Sequence, residues 1–151
     1  MPARSRHPLR TASASDTTQN ILWRLYDGEL DGVRPKVIVL LAGTNNVGTT
    51  LPPNGDEAKA ADITRGIKAI VNVMKAKAPE ATIVLMGIFP RNDNMAVMST
   101  INKVNNNLAT FADGKKVRYL NINDKLADSE GRLFDGVAVD KLHLTVKGYQ
   151  I

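Results

Sequence analysis

Three short apolar runs alternate with longer amphipathic stretches along the chain. The runs are KVIVLLAG at 36–43, TIVLMGIFP at 82–90 and VRYLNIN at 117–123. They are too short for typical helices, and the first two are rich in Val, Ile and Leu with little polar alternation. Such runs are typical of strands that are buried on both faces of a parallel sheet. We therefore predict strands at these three positions.

The stretches between the runs have helical periodicity. Apolar side chains recur at three- and four-residue steps in residues 56–78, which end at Pro79, and again in residues 98–111. Strands that alternate with helices predict an α/β fold, with a parallel sheet and helices on both of its faces. No linker divides the chain, so we predict one domain.

Shorter helices are predicted near the two ends. Asp16 or Thr17 is the expected N-cap of a first helix that stops at the Asp-Gly pair 27–28. Thr145 is the expected N-cap of a last helix, and residues 124–143 before it form a long polar loop.

Composition narrows the function classes. The formal net charge is +5, but residues 1–15 supply three arginines, and 17 basic and 15 acidic residues remain without them. These charges are scattered, which disfavours a nucleic-acid partner. No apolar run approaches the ~20 residues of a membrane span. The absence of cysteine excludes disulfides and thiolate metal sites.

Residues 1–15 differ from the rest of the chain. They are rich in Arg, Ser, Ala and Pro, as transit peptides are, but a disordered leader is the simpler interpretation. The apolar segment of a secretory signal is absent from them. We predict a disordered leader over 1–15 and a folded domain over 16–151. The compartment stays open between the cytoplasm and, for a truncated protein, secretion.

Two motifs carry candidate chemistry. GTNN at 43–46 follows the first strand at the edge of the sheet where ligands bind, and the Asn45 amide there has the donors that an oxyanion needs. Taken alone, this motif is usually just a turn. Asp140 precedes His143 by three residues, a spacing that lets a carboxylate orient an imidazole base. A structural hydrogen bond or a helix cap is the alternative, and no further metal ligands accompany the pair.

Together these motifs resemble a known family. GTNN after a buried strand, followed by DKLHLTVKGY at 140–149, is similar to blocks III and V of the SGNH (GDSL-type) serine esterases. DTTQNILWRLYDGELDGVRPKVIVLLAGTNN at 16–46 resembles the branch that contains the catalytic subunits of intracellular platelet-activating-factor acetylhydrolase. The resemblance covers residues 16–151.

The resemblance implies a flavodoxin-like three-layer α/β/α fold and acyl transfer from an ester to a serine and then to water, without metal or cofactor. By position, Asn45 would be the oxyanion-hole amide, His143 the general base and Asp140 its orienting carboxylate. The substrate would be a small acyl ester, such as an acetyl ester.

The chain also departs from the family pattern. Family members carry the nucleophile in a Gly-Asp-Ser block at the end of an early strand, and this sequence has no such block. The nearest serines are Ser13 and Ser15, and either is a candidate for the nucleophile. Ser15 stands where the family has a glycine whose backbone N–H completes the oxyanion hole, so it is a candidate either for the nucleophile or for that backbone position. We expect a domain that lacks its first strands and is incomplete at both ends.

Two functions remain open at this point. The first is an esterase of small acyl esters, and the alternative is a catalytically inactive, truncated fragment that binds a partner. The 36–43 strand would lie at an edge with neither a proline nor a mid-strand charge to block further pairing. We therefore expect this edge to pair with a second copy of the chain, or the chain to be poorly soluble.

Overall fold

A three-stranded parallel sheet lies at the centre of the structure, a computed structural model in which residues 13–151 are described. Its strands are β1 (Val37–Leu40), β2 (Thr82–Met86) and β3 (Val117–Leu120), in the order β1-β2-β3. Val37 pairs with Thr82, and Ile83 pairs with Val117. The predicted strands and their parallel arrangement are confirmed, with earlier ends than the sequence indicated.

Six α-helices and one 3₁₀ helix accompany the strands in the described part of the chain. They are α1 (Thr18–Tyr26), α2 (Thr44–Val47), α3 (Glu57–Lys77), a 3₁₀ turn (Met95–Val97), α4 (Met98–Ala109), α5 (Asn123–Leu126) and α6 (Val146–Tyr149). The helices predicted at 56–78 and 98–111 correspond to α3 and α4. The predicted turn after β1 is the short helix α2, and α5 interrupts the predicted loop. Most of the predicted leader, residues 1–12, lies outside the described residues.

Both predicted helix caps are present. The Thr17 side chain accepts a hydrogen bond from the Asn20 N–H, and the Asn20 side chain accepts one from the Thr17 N–H, which closes a capping box at the start of α1. The Thr145 side chain accepts a hydrogen bond from the Gly148 N–H at the start of α6. Of the two caps proposed for α1, the structure uses Thr17.

The hydrophobic core lies on one face of the sheet. Leu40, Ile83 and Leu85 point into it and meet α3 and α4, whose Ile67 and Ile101 are fully buried. This burial supplies most of the favourable free energy of folding.

The opposite face of β1 is open. Val37, Val39 and Leu41 are 55%, 62% and 44% exposed there, because side chains alternate between the two faces of a strand. Parallel sheets are normally covered on both faces. The helices expected on both faces of the sheet therefore cover only one face of β1 in the described part of the chain.

A buried side chain connects α4 to the chain after β2. Asn105 is 4% exposed, and its amide accepts a hydrogen bond from the Ile88 N–H at 2.7 Å and donates one to the Ile88 carbonyl at 2.9 Å. The pair of bonds satisfies a backbone unit that lies beyond the sheet ladder. It fixes the path of residues 88–91, which pass beside the carboxyl ends of the strands.

Asp56 connects the start of α3 to α4. Its carboxylate is 4% exposed and accepts hydrogen bonds from Ser99 at 2.7 Å, Thr100 at 3.0 Å and Lys103 at 2.5 Å. The Lys103 ammonium and the Ser99 hydroxyl lower the Asp56 pKa to about 2, against the opposing effect of burial. The folded state therefore favours the ionised carboxylate.

We predict that Asp56→Asn lowers the free energy of unfolding at pH 7 by ~1.5–3 kcal/mol, because hydrogen bonds to a charged group are replaced by neutral ones. Since the Asp56 pKa is lower in the folded state than its ordinary value of 3.8, its contribution is present above pH ~4 and is lost as the pH falls toward ~2. Urea unfolding between pH 7 and pH 2 measures this. The parent and the variant should converge in acid, and a constant difference would contradict the assignment.

Candidate active site

The turn after β1 is built around Gly43. Its backbone adopts φ +111°, and a Cβ placed on it would lie 2.8 Å from Ile88 Cδ1 and 3.2 Å from Ile63 Cγ2. Only glycine fits both this conformation and this space. The turn leads directly into α2 and places the two asparagines of GTNN beyond the carboxyl end of β1.

Asn45 and Asn46 contact the segment that precedes α1. The Asn45 amide nitrogen donates to the Ala14 and Asp16 carbonyls, each at 2.9 Å. The Asn46 amide oxygen accepts from the Thr18 N–H at 2.9 Å, which satisfies a free donor at the start of α1. Both N–H donors of the Asn45 amide are thus occupied by the Ala14 and Asp16 carbonyls, and an oxyanion would have to replace one of these carbonyls.

Asp140 and His143 form a hydrogen-bonded pair in the loop before α6. Asp140 Oδ2 lies 2.7 Å from His143 Nδ1, while Oδ1 accepts from the N–H groups of His143 at 2.8 Å and Leu142 at 3.1 Å. Lys141, between them, adopts φ +66°, which is uncommon for a residue other than glycine. Its carbonyl accepts from the Asn92 N–H at 2.8 Å.

The electrostatics of this pair favour an ionised Asp140. The hydrogen bonds from the His143 N–H and the His143 ring lower the Asp140 pKa to about 2. An ionised carboxylate can only accept, so Nδ1 carries the proton in this bond, and in the neutral imidazole Nε2 is then the nitrogen with the lone pair. This tautomer suits a general base, in which Nε2 takes up a proton.

Asn45 and His143 line the same cavity, of about 210 Å³. Its other walls are mostly apolar and include Leu41, Ile88 and Phe89. The structure thus brings together at one site two residues that lie 98 positions apart in the sequence. Asp140 joins them through its bond to His143.

Ser15 lies beside this site without reaching His143. Its residue is exposed, Ala14 rather than Ser15 lines the cavity, and among the described residues no hydrogen bond joins Ser15 to His143. The carbonyls on either side of it, those of Ala14 and Asp16, are the two that accept from Asn45. The roles proposed for Ser15 from the sequence stay predictions.

Arg91, which was not predicted from the sequence, is 4% exposed and lies at the border of the site. Its guanidinium donates to the Thr44 carbonyl at 2.9 Å and to the Asp93 carboxylate. Its signal in the sequence is weak: a charged residue that closely follows a buried strand, at the edge where the motifs converge.

Other kinds of site find no support in the described residues. Within 13–151, no group of three or more His, Asp or Glu side chains is arranged to hold a metal ion. In the same part of the chain, no helix has the length and apolar character required to cross a bilayer.

Comparisons with known proteins give a consistent result. The sequence profile of the GDSL-like Lipase/Acylhydrolase family matches residues 3–151. Platelet-activating factor acetylhydrolase IB subunit alpha1 from Bos taurus is 34% identical over 145 residues, which cover 95% of this chain and 59% of that protein. Subunit alpha2 from Rattus norvegicus gives the same identity and coverage. The chain thus spans about 59% of the length of these relatives.

Solved structures share the fold. One described as a platelet activating factor from Streptococcus pneumonia superimposes with a TM-score of 0.72 at 28% identity, over 90% of this chain and 64% of that one. An acylhydrolase structure from Bacteroides fragilis gives a TM-score of 0.71 at 18% identity, over 90% of this chain and 65% of the other. The predicted α/β fold and the resemblance to SGNH esterases are confirmed.

We predict that Gly43→Ala destabilises the fold by more than the backbone conformation alone requires. The new Cβ would meet Ile88 and Ile63 in addition to the unfavourable positive φ. Gly55→Ala is the matched control, because Gly55 has φ +86° with no atom within 4 Å of the added Cβ. Chemical unfolding should show a loss larger by ~1–3 kcal/mol for Gly43→Ala. Equal losses would mean that Gly43 is not closely packed.

Proposed function

The chain belongs to the GDSL-like lipase/acylhydrolase family, and we propose that it hydrolyses small acyl esters through a covalent acyl-serine intermediate. The observation that carries this proposal is that Asn45 and His143 line the same cavity, with Asp140 hydrogen-bonded to Nδ1 of the His143 ring. The chain spans only part of its relatives, so catalysis by the chain itself is the step that needs an experiment.

In the proposed reaction, His143 Nε2 takes the proton of a serine hydroxyl as the oxygen attacks the ester carbonyl. Asp140 stabilises the imidazolium that forms. The tetrahedral oxyanion accepts a hydrogen bond from the Asn45 amide, which exchanges one of its two carbonyl partners for it. The intermediate collapses, and His143 protonates the departing alcohol. Water then attacks the acyl-serine by the same sequence of proton transfers, releasing the acid.

Ser15 is our candidate for the nucleophile. The Asn45 amide binds the carbonyls of Ala14 and Asp16, on either side of Ser15, which places Ser15 beside the cavity. To act as the nucleophile, its hydroxyl has to move toward His143. The other role for Ser15 is to supply a backbone N–H to the oxyanion. Removal of the hydroxyl abolishes the first role and leaves the second intact.

The size of the cavity supports short acyl groups. A cavity of about 210 Å³ accommodates an acetyl group and a few further carbons, and its apolar walls leave an acyl chain without polar partners. The curated relatives are named acetylhydrolases, in agreement with this size. We propose an acetyl ester as the preferred substrate.

We also propose that β1 pairs with a second copy of the chain. The Lys36 carbonyl accepts from the Thr82 N–H, and backbone groups alternate along a strand. The N–H groups of Val37 and Val39 therefore face away from β2. Exposed apolar side chains at the same positions extend this surface. An unblocked edge of this kind is a template for another strand.

For catalysis, we predict that His143→Ala removes nearly all hydrolysis of p-nitrophenyl acetate, while Asn45→Ala lowers the rate ~10²–10³-fold because an oxyanion donor is lost. Ser15→Ala should abolish turnover if its hydroxyl is the nucleophile, and Ser13→Ala, which tests the other nearby serine, should then leave the rate unchanged. Asp62→Asn, on the exposed face of α3 and outside the residues that line the cavity, should leave the rate unchanged.

Initial rates with acetyl and octanoyl esters also measure the acyl preference. If the parent is folded but no faster than His143→Ala, the esterase proposal fails, and the inactive, partner-binding alternative takes its place. If Ser15→Ala keeps the parent's rate, Ser15 is not the nucleophile, although the roles of His143 and Asn45 can still hold.

For association, we predict a dimer of the parent chain in size-exclusion chromatography with light scattering. Val39→Pro should give a monomer, because proline removes an N–H that faces the open edge and leaves the β1–β2 hydrogen bonds in place. Val39→Thr keeps the N–H and should remain a dimer. A parent that is monomeric by light scattering and sharply folded by near-UV circular dichroism would overturn this proposal.

A further inference from the structure

Arg91 is a buried cation that the proposed chemistry does not use. Its side chain is 5% exposed, and a bidentate pair with Asp93, with Nε 2.8 Å from Oδ1, satisfies one side of the guanidinium. The pair lowers the Asp93 pKa, chiefly through the hydrogen bonds from Arg91. A charge this deeply buried is retained only where its hydrogen bonds are well satisfied.

The remaining side of the guanidinium contacts the loop that carries the candidate oxyanion donor. Arg91 Nη1 lies 2.9 Å from the Thr44 carbonyl and 3.5 Å from the Thr44 hydroxyl. Thr44 is the first residue of α2 and the direct neighbour of Asn45. A helix of four residues has little stability of its own, so the position of Asn45 depends on such contacts.

The next residue contacts the loop that carries the candidate base. The Asn92 N–H donates to the Lys141 carbonyl at 2.8 Å, and the Asn92 side chain binds the Gly131 carbonyl and the Leu133 N–H, at 2.8 and 2.7 Å. Lys141 lies between Asp140 and His143 in the uncommon positive-φ conformation. Two consecutive residues therefore connect the Asn45 loop and the His143 loop.

We propose that Arg91, oriented by Asp93, is a positioning residue that sets the separation of Asn45 and His143. This inference rests on the proposed function for its consequence in catalysis, but the geometry it describes can be tested without activity. The planar guanidinium is required, because it binds Asp93 with one side and Thr44 with the other. A lysine at position 91 has a single ammonium that cannot reproduce both sets of contacts in this geometry.

The test uses Arg91→Lys and Asp93→Asn in the full chain. Lys103→Met is the control, because it also removes the partner of a buried carboxylate, Asp56, on the α3–α4 contact rather than at the site. The readouts are the side-chain amide signals of Asn45 and the ring signals of His143 in ¹⁵N NMR, together with urea unfolding. Where the parent hydrolyses p-nitrophenyl acetate, kcat and KM are measured as well.

Both site variants should shift the Asn45 amide and His143 ring signals, and Lys103→Met should shift neither at a similar loss of stability. In an active parent, kcat should fall by up to ~10²-fold, the loss expected when catalytic groups are displaced by about 1 Å, with a smaller change in KM. Unshifted signals in folded Arg91→Lys and Asp93→Asn would overturn the proposal. Shifted signals in an inactive parent would support it while the esterase function fails.

Discussion

The arrangement of the site depends on the close approach of Gly43 to the side chains beneath it. Gly43 has φ +111°, and a Cβ placed on it would lie only 2.8 Å from Ile88 Cδ1. The turn after β1 can take this path only because position 43 has no side chain. Ile88 in turn is fixed through its backbone by Asn105. The core under the sheet and the candidate site at its edge are therefore parts of one packed unit, and the position of α2 follows from the packing of α3 and α4.

The fold could be predicted from the sequence because its strands and long helices depend on local patterns. The apolar runs, the periodicity of residues 56–78 and the caps Thr17 and Thr145 all appear at the expected places. The four-residue helices α2 and α5 were not predicted, because they have no such local pattern. A four-residue helix such as α2 shows no periodicity, and its existence depends on contacts with distant parts of the chain.

In the candidate site, too, contacts within one loop could be predicted from the sequence, and contacts between distant residues could not. The spacing of Asp140 and His143 predicts their hydrogen bond, because both lie in one tight loop. Arg91 could not be found in this manner, since a buried arginine is defined by partners such as Thr44, which lies 47 positions away. Nor does the sequence show that the Asn45 amide binds the carbonyls of Ala14 and Asp16. That contact makes residues 13–16 part of the site and explains why Ser15, which is one of them, is of interest.

In the proposed mechanism, His143, oriented by Asp140, activates a serine beside Asn45. The most direct measurement is mass spectrometry of the folded chain after reaction with a fluorophosphonate, which labels activated serines. We expect one phosphonyl group on the peptide that contains Ser15, and its loss in His143→Ala. No label on any serine, or a label that forms equally in His143→Ala, would show that His143 activates no serine in this chain.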